Sequence, residues 1–245
     1  MERIYGRTKT IQEDKVSGFC PGCMHGTVMK LIGEVLEEMD LTSRAACVLG
    51  IGCCGLQMDY MAYDNTTAPH GRACAVATGV KKASPDSLVF TYQGDGDFAS
   101  IGLAESMSAA NRGENITVIF INNGIYGMTG GQMAPTTLIG MRASTAPQGR
   151  SAKEHGYPMH MCEILNQLTA PAYLERTSCN TPGNVMKTKR AIKNAFHNQL
   201  DKKGFSMVEI ITSCPTNWGM DALAALDYIE EKMLPEFPLG VIRDR

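Results

Sequence analysis

No run of 18 apolar residues occurs in this 245-residue sequence, so a membrane-crossing helix is not expected. The opening Met1–Glu2–Arg3–Ile4–Tyr5 lacks the apolar stretch of a secretory leader. Long blocks of like charge are also missing, and the formal net charge is only −2 with a pI near 6.2. That balance offers neither a basic face for nucleic acid nor an acidic tail. Internal repeats, low-complexity segments and linker-like stretches are likewise not found. These absences predict a cytoplasmic protein without membrane or nucleic-acid partners, folded as one domain over residues 1–245.

What the chain has in quantity is apolar residues, 44% of the total, enough to bury one sizeable core. It also has sixteen methionines, read here as core filler. Nine cysteines need more explanation. A reducing compartment does not favour a disulfide framework, which leaves metal binding, catalysis and plain burial.

Strand-like and helical runs alternate. His25–Asp40 places Val28, Leu31, Ile32, Val35, Leu36 and Met39 at three- and four-residue spacing, as an amphipathic helix does. Ala46–Ile51 and Leu88–Tyr92 are short apolar runs that end at glycines. Ala99–Asn111 reads as helix with Gly113 as its stop, and Ile116–Ile121 as a strand buried on both faces. Asn122–Pro147 has no periodicity, and a loop of that length inside a compact domain is usually functional or mobile. Strand, helix, strand and helix follow over Ala172–Arg176, Asn184–Leu200, Met207–Ile211 and Met220–Leu234. The alternation predicts an α/β fold, a mostly parallel doubly wound sheet with helices on both faces. Ligands gather beyond the carboxyl ends of such strands.

At one strand end the chain runs Gly94–Asp95–Gly96–Asp97 into a helix. Glycines allow a tight turn and a helix start offers N–H groups to phosphate, yet carboxylates repel it. A hard divalent cation between them removes the conflict, since Mg²⁺ is typically held by one or two carboxylates plus phosphate oxygens. Twenty-five residues separate Gly96 from Asn122, enough for one helix and one strand, so Asn122–Asn123 should emerge beside Asp95. Each turn alone is ordinary. Together they match the thiamine-diphosphate signature GDG…NN.

Three cysteine segments fall near predicted strand ends or the first helix. Cys20–Pro21–Gly22–Cys23 precedes that helix, Cys53 and Cys54 follow the first strand, and Cys214 follows the strand Met207–Ile211. In a parallel sheet they would open on one side, where four thiolates can hold a [4Fe–4S] cluster. A lone CxxC is also compatible with a zinc knuckle or a redox dithiol, although no second CxxC or HxxxH accompanies it. Cys47, Cys74, Cys162 and Cys179 read as core residues. Cys54 competes with its neighbour Cys53 as a ligand.

The combination of Cys20–Pro21–Gly22–Cys23, Gly50–Ile51–Gly52–Cys53, His70–Gly71–Arg72, Gly94–Asp95–Gly96–Asp97, the run Asn122–Gln132 and Ser213–Cys214–Pro215 resembles the β subunit of 2-oxoacid:ferredoxin oxidoreductases. The likeness covers about residues 15–220. It implies CoA-dependent oxidative decarboxylation of a 2-oxoacid to acyl-CoA and CO₂, with electrons passed through a [4Fe–4S] cluster to ferredoxin. By resemblance, Cys20, Cys23, Cys53 and Cys214 hold the cluster. Asp95, Asn123 and the carbonyl of Ile125 hold Mg²⁺. Ile51, Gly52, Cys53, Cys54, His70, Gly96, Asp97, Gly127 and Met128 line the thiamine diphosphate. Arg72 is left outside this set, and Tyr126 reads as packing.

A thiamine enzyme also needs a carboxylate for the aminopyrimidine. Glu105 lies on the helix after the turn, and Glu34, Glu37 and Glu38 read as a solvated face. The resemblance implies that an α (pyrimidine-domain) subunit supplies the glutamate, with γ and δ subunits as further possible partners. No Lys or Arg occurs in Cys53–Met61, and Met128 and Met133 are apolar. The substrate reading therefore leans to 2-oxoisovalerate, with 2-oxoglutarate as the alternative. An acetolactate-type enzyme would need a second domain in the same chain, and a zinc-bound scaffold remains the non-catalytic rival.

Overall fold

The computed structural model describes residues 6–245, so the reading of Met1–Tyr5 and the first five residues of the proposed domain lie outside it. Helix α1 (His25–Glu38) leads into strand β1 (Ala45–Leu49), then β2 (Asp64–Thr67), α2 (Ala73–Ala83), β3 (Leu88–Gly94), α3 (Leu103–Asn111) and β4 (Thr117–Asn122). A small antiparallel ribbon follows, β5 (Ile125–Tyr126) with β6 (Gln132–Met133), and then α4 (Ala152–His155) and α5 (Met161–Asn166). The chain closes with β7 (Tyr173–Ser178), α6 (Pro182–Leu200), β8 (Ser206–Ile211), α7 (Pro215–Trp218), α8 (Ala222–Tyr228), α9 (Leu234–Glu236) and β9 (Gly240–Asp244).

Seven strands form one sheet in the order β2-β1-β3-β4-β8-β7-β9, all parallel except the β7–β9 pair. Period-two alternation divides the strand side chains between two cores. Ile119 and Ile121 of β4 join the α1 and α6 layer, while Val118 and Phe120 join the α2, α3 and α5 layer. Both faces are covered, which explains why the central strands read as unbroken apolar runs. No helix among the described residues is long and apolar enough to cross a membrane.

Several local expectations shift. The helix expected over Met220–Leu234 forms over residues 222–236 but is not α-helical throughout: α8 passes through a π-helical turn at Ile229–Met233 into α9, where Pro235 lies. The acidic face of α1 is more than a solvated surface. Glu34 and Glu38 pair with Lys189 of α6 at 2.7 Å each, and Glu37 accepts from the backbone of Thr10. The stretch after β4 is tied down rather than loose, as described below.

A buried charge chain runs under the β7–β8 pair. Glu209 accepts from Arg176 Nε at 2.9 Å and from Asn122 Nδ2 at 2.8 Å, and Arg176 forks onto Glu163. Glu209 and Arg176 are almost fully buried. Removing one partner leaves an uncompensated charge, so Arg176→Met is expected to cost about 3–5 kcal/mol, read as a lower urea midpoint. An unchanged midpoint contradicts this.

Candidate functional site

Parallel register aligns the ends of β1, β3, β4 and β8. Gly94 stands beside Ile121, and Asn122 beside Ile211. The chain therefore leaves β3 into the acidic turn, and β4 into the asparagine turn, at one edge of the sheet. A pocket at that edge is lined by Ile51, Gly52, Cys53, Cys54, His70, Asp95, Gly96, Asp97, Asn123, Ile125, Gly127 and Met128. These are all twelve residues expected around the thiamine diphosphate and its magnesium.

Asp95 is buried, with Oδ1 accepting from the Gly96 N–H at 2.9 Å and Oδ2 from the Thr136 hydroxyl at 2.7 Å. Burial pushes its carboxyl up to about 6, against the opposing pull of Thr136 and the N–H groups of Gly96, Gly124 and Ile125. A buried carboxylate without a cation partner is the donor a divalent ion would relieve. Asn122 and Asn123 each fold back into an Asx turn, accepting from Gly124 and Ile125 at 3.2 Å, and Gly124 takes φ +69°. The residues thus fit a magnesium–diphosphate group by donor chemistry: one carboxylate, one amide oxygen and a carbonyl at Ile125.

The raised carboxyl sets a pH dependence. A group whose folded value lies above its unfolded value of 3.8 stabilises the fold only while protonated, so its contribution is lost as pH rises toward 6. Metal-free protein is expected to lose about 3 kcal/mol over that window relative to an Asp95→Asn variant. Urea titrations of both proteins at pH 4 and pH 7 measure the difference, and parallel curves contradict it.

Asp97 lies at the pocket, but its carboxylate is committed to the protein. Oδ1 takes His70 Nδ1 at 2.6 Å and the N–H groups of Gly71 and Ile51, and Oδ2 takes Gln93 at 2.6 Å. It therefore orients the pocket: His70 is turned so that Nε2 remains available. Gly50 is needed for this approach, since a Cβ there would lie 2.6 Å from Asp97 Oδ2. Arg72 pairs with Glu105 at 3.1 Å, which occupies both side chains.

The cysteines gather at one side of the pocket. A Cβ on Gly127 would lie 3.4 Å from Cys53 Sγ and 3.5 Å from Cys214 Sγ, so the two sulfurs flank it. Ser213 donates to the Gly22 carbonyl at 2.9 Å, tying the CxxC turn to the Cys214 segment. The Cys23 thiol is pushed up to about 12, chiefly by burial, with Cys214, Cys53 and Cys20 adding to it. Burial likewise raises Cys53 to about 11, with Cys214 and Cys20 contributing. Thiolates gathered this closely would repel one another, a repulsion that a cationic iron centre offsets. Cys54 is buried in the pocket wall, and Cys47, Cys74, Cys162 and Cys179 are buried as well. Among the described residues no three Cys, His, Asp or Glu side chains are placed to hold a single metal ion. A [4Fe–4S] cubane takes one thiolate at each of four irons, so its cysteines stand farther apart.

Two neighbours, His25 and Thr136, escaped the sequence reading. His25, two residues beyond the CxxC, lines the pocket with Nδ1 2.7 Å from the Tyr92 hydroxyl, and burial lowers it to about 4. Proximity to Cys23 was the signal that could have found it. Tyr126 packs as expected: its ring lies over Gly96, where any Cβ would overlap it, and its hydroxyl reaches the Gly96 carbonyl. Thr136 carried no local signal.

This fold and this pocket define a thiamine-diphosphate-binding domain. The family profile described as "Thiamine pyrophosphate enzyme, C-terminal TPP binding domain" matches residues 50–210. Ketoisovalerate oxidoreductase subunit VorA of Methanothermobacter thermautotrophicus is 48% identical over 93% of the chain and 48% of its own length. The 2-oxoglutarate synthase subunit KorB of Methanocaldococcus jannaschii is 37% identical over 86% of the chain and 74% of its own length. A solved 2-oxoglutarate:ferredoxin oxidoreductase from Magnetococcus marinus, with 2-oxoglutarate, coenzyme A and succinyl-CoA bound, superposes with a TM-score of 0.79. It is 26% identical, over 98% of this chain and 85% of that one. The chain belongs to the thiamine pyrophosphate enzymes and, within them, to the β subunits of the 2-oxoacid oxidoreductases. It spans about half the length of the VorA relatives and about three quarters of the KorB subunit of M. jannaschii.

Proposed function

We propose that this chain is the cofactor-binding half of a 2-oxoacid:ferredoxin oxidoreductase that converts a 2-oxoacid and coenzyme A to acyl-CoA and CO₂. The observation that carries the reading is convergence: four strand ends and the CxxC turn bring the acidic turn, the asparagine turn and the cysteines to one edge of the sheet. Thiamine diphosphate supplies an electron sink for loss of CO₂, and a [4Fe–4S] cluster supplies single-electron transfer to ferredoxin. Asp95, Asn123 and the Ile125 carbonyl hold the magnesium. His70, oriented by Asp97, presents Nε2 to the diphosphate. Ile51, Gly52, Cys54, Gly96, Gly127 and Met128 shape the walls, and Cys20, Cys23, Cys53 and Cys214 hold the iron.

No glutamate is among the pocket's lining residues, and Glu105 is paired with Arg72. The aminopyrimidine carboxylate then comes from an α subunit, with γ and δ subunits completing the assembly. A reducing cytoplasmic setting suits the free cysteines. Residues 1–245 act as one domain whose N- and C-terminal segments bring the iron ligands.

No lysine or arginine lines the pocket, and the apolar Met128 is half exposed there. A second carboxylate would find no cation from this chain, which supports 2-oxoisovalerate over 2-oxoglutarate. The test is anaerobic purification of the whole assembly, followed by 2-oxoacid-dependent viologen reduction and analysis for iron, sulfide and thiamine diphosphate. The expected result is a brown, thiamine-dependent enzyme with higher kcat/KM for 2-oxoisovalerate, and no turnover by this chain alone. A colourless zinc protein, or robust activity without partners, overturns the reading.

A further inference from the structure

Between β6 and α5 the chain carries a buried arginine that makes no ion pair within 4 Å to a carboxylate among the described residues. Arg150 is 5% exposed, and its guanidinium is spent on backbone carbonyls. On one side it donates to Pro135 at 2.8 Å and Thr137 at 2.7 Å; on the other, to Gly156 at 2.9 Å and Tyr157 at 2.7 Å. Burying an arginine this way costs free energy, and burial indeed lowers its basicity. What the clamp gains is the position of one residue, held between two grasped carbonyls.

That residue is Thr136, fully buried. Its hydroxyl donates to Asp95 Oδ2, 41 positions earlier in sequence, at 2.7 Å. Beside it, Thr137 donates to the Gly124 carbonyl at 2.6 Å, at the bend of the asparagine turn. One clamped segment therefore grips both turns of the pocket, one hydroxyl on each. With the Gly96 N–H on Oδ1, the Thr136 hydroxyl fixes the rotation of the Asp95 carboxylate while leaving acceptor capacity on both oxygens.

We propose that Thr136 is a positioning residue for the divalent cation, aiming the Asp95 carboxylate, and that Arg150 acts through it by holding the segment. The inference rests on the magnesium–diphosphate reading above. Partners of metal ligands commonly contribute 10–100-fold to metal affinity.

The assembled complex, stripped of metal and resupplied with thiamine diphosphate, can be titrated with Mn²⁺ while the EPR signal of free Mn²⁺ is followed. Thr136→Val is expected to weaken Mn²⁺ binding roughly tenfold or more. Thr136→Ser, which restores the hydroxyl, should recover most of the affinity. Arg150→Lys cannot fork across both sides and should weaken binding too, and in the Arg150→Lys/Thr136→Val double variant the two losses should not multiply. Iron content and circular dichroism report whether each variant is assembled, and Thr136→Ala replaces valine if the latter is not. Wild-type affinity in an assembled Thr136→Val complex overturns the proposal, as does equal impairment by valine and serine. Multiplying losses overturn the part assigned to Arg150. Wild-type complex that binds no Mn²⁺ at all refutes the functional reading itself.

Discussion

Cys53→Ser is expected to strip the assembled enzyme of its cluster, from about four irons per chain to background, and to abolish 2-oxoacid-dependent viologen reduction. Cys54→Ser is expected to keep the iron. The two residues are adjacent, so composition cannot separate them, but the short turn after β1 gives them different surroundings. Cys53 faces Cys214 across Gly127, while Cys54 is 2% exposed and packs in the core under the pocket. Serine at position 54 puts a hydroxyl into a buried part of the pocket wall, so the change bears on the fold and the pocket rather than on the iron. Anaerobic iron and sulfide analysis of the two variants decides the matter, and iron loss from Cys54→Ser reverses the assignment.

The second large effect concerns Asp95. Asp95→Asn keeps the size and one oxygen for the Gly96 N–H, and the Thr136 hydroxyl can turn to accept from the new amide, but the charge that a cation needs is removed. Losing one partner of a desolvated charge contact costs about 2–5 kcal/mol, so half-saturating magnesium should rise roughly hundredfold. Thiamine diphosphate should then be lost on gel filtration. The same variant should be more stable than wild type without metal at pH 7, because an uncompensated buried charge has gone. Asp97→Asn should behave oppositely. Its carboxylate already satisfies four protein donors, so the change weakens the fold in the absence of any cofactor. Thermal unfolding of both metal-free variants separates a ligand from an orienting group, and a destabilised Asp95→Asn protein would contradict the assignment.

The central strands were legible because burial on both faces leaves no room for polar alternation, and glycines marked where they end. Ala46–Ile51 against β1 and Ile116–Ile121 against β4 differ by a residue or two. The edges were not legible. β2 is Asp64–Asn65–Thr66–Thr67, polar and mostly exposed, and β9 is antiparallel and half exposed, so neither carries the apolar run that identified the others. The pocket was legible where chemistry is written in adjacent residues, as at Asp95–Gly96–Asp97 and Asn122–Asn123. Its supports were not. Thr136 reaches Asp95 across 41 positions, and Arg150 bonds only to carbonyls, which every residue has.

Gly127 has a place in two walls at once. It lines the pocket, and the sulfurs of Cys53 and Cys214 stand against it, with Asn217 donating to both its carbonyl and Cys214 Sγ. If the proposed function holds, a partition one glycine thick stands between the groove that would select a substrate and the sulfurs that would set a reduction potential. Attempts to re-engineer selectivity at Gly127 or Met128 will therefore retune electron transfer as well, and the two properties of this chain should evolve together rather than as separable modules.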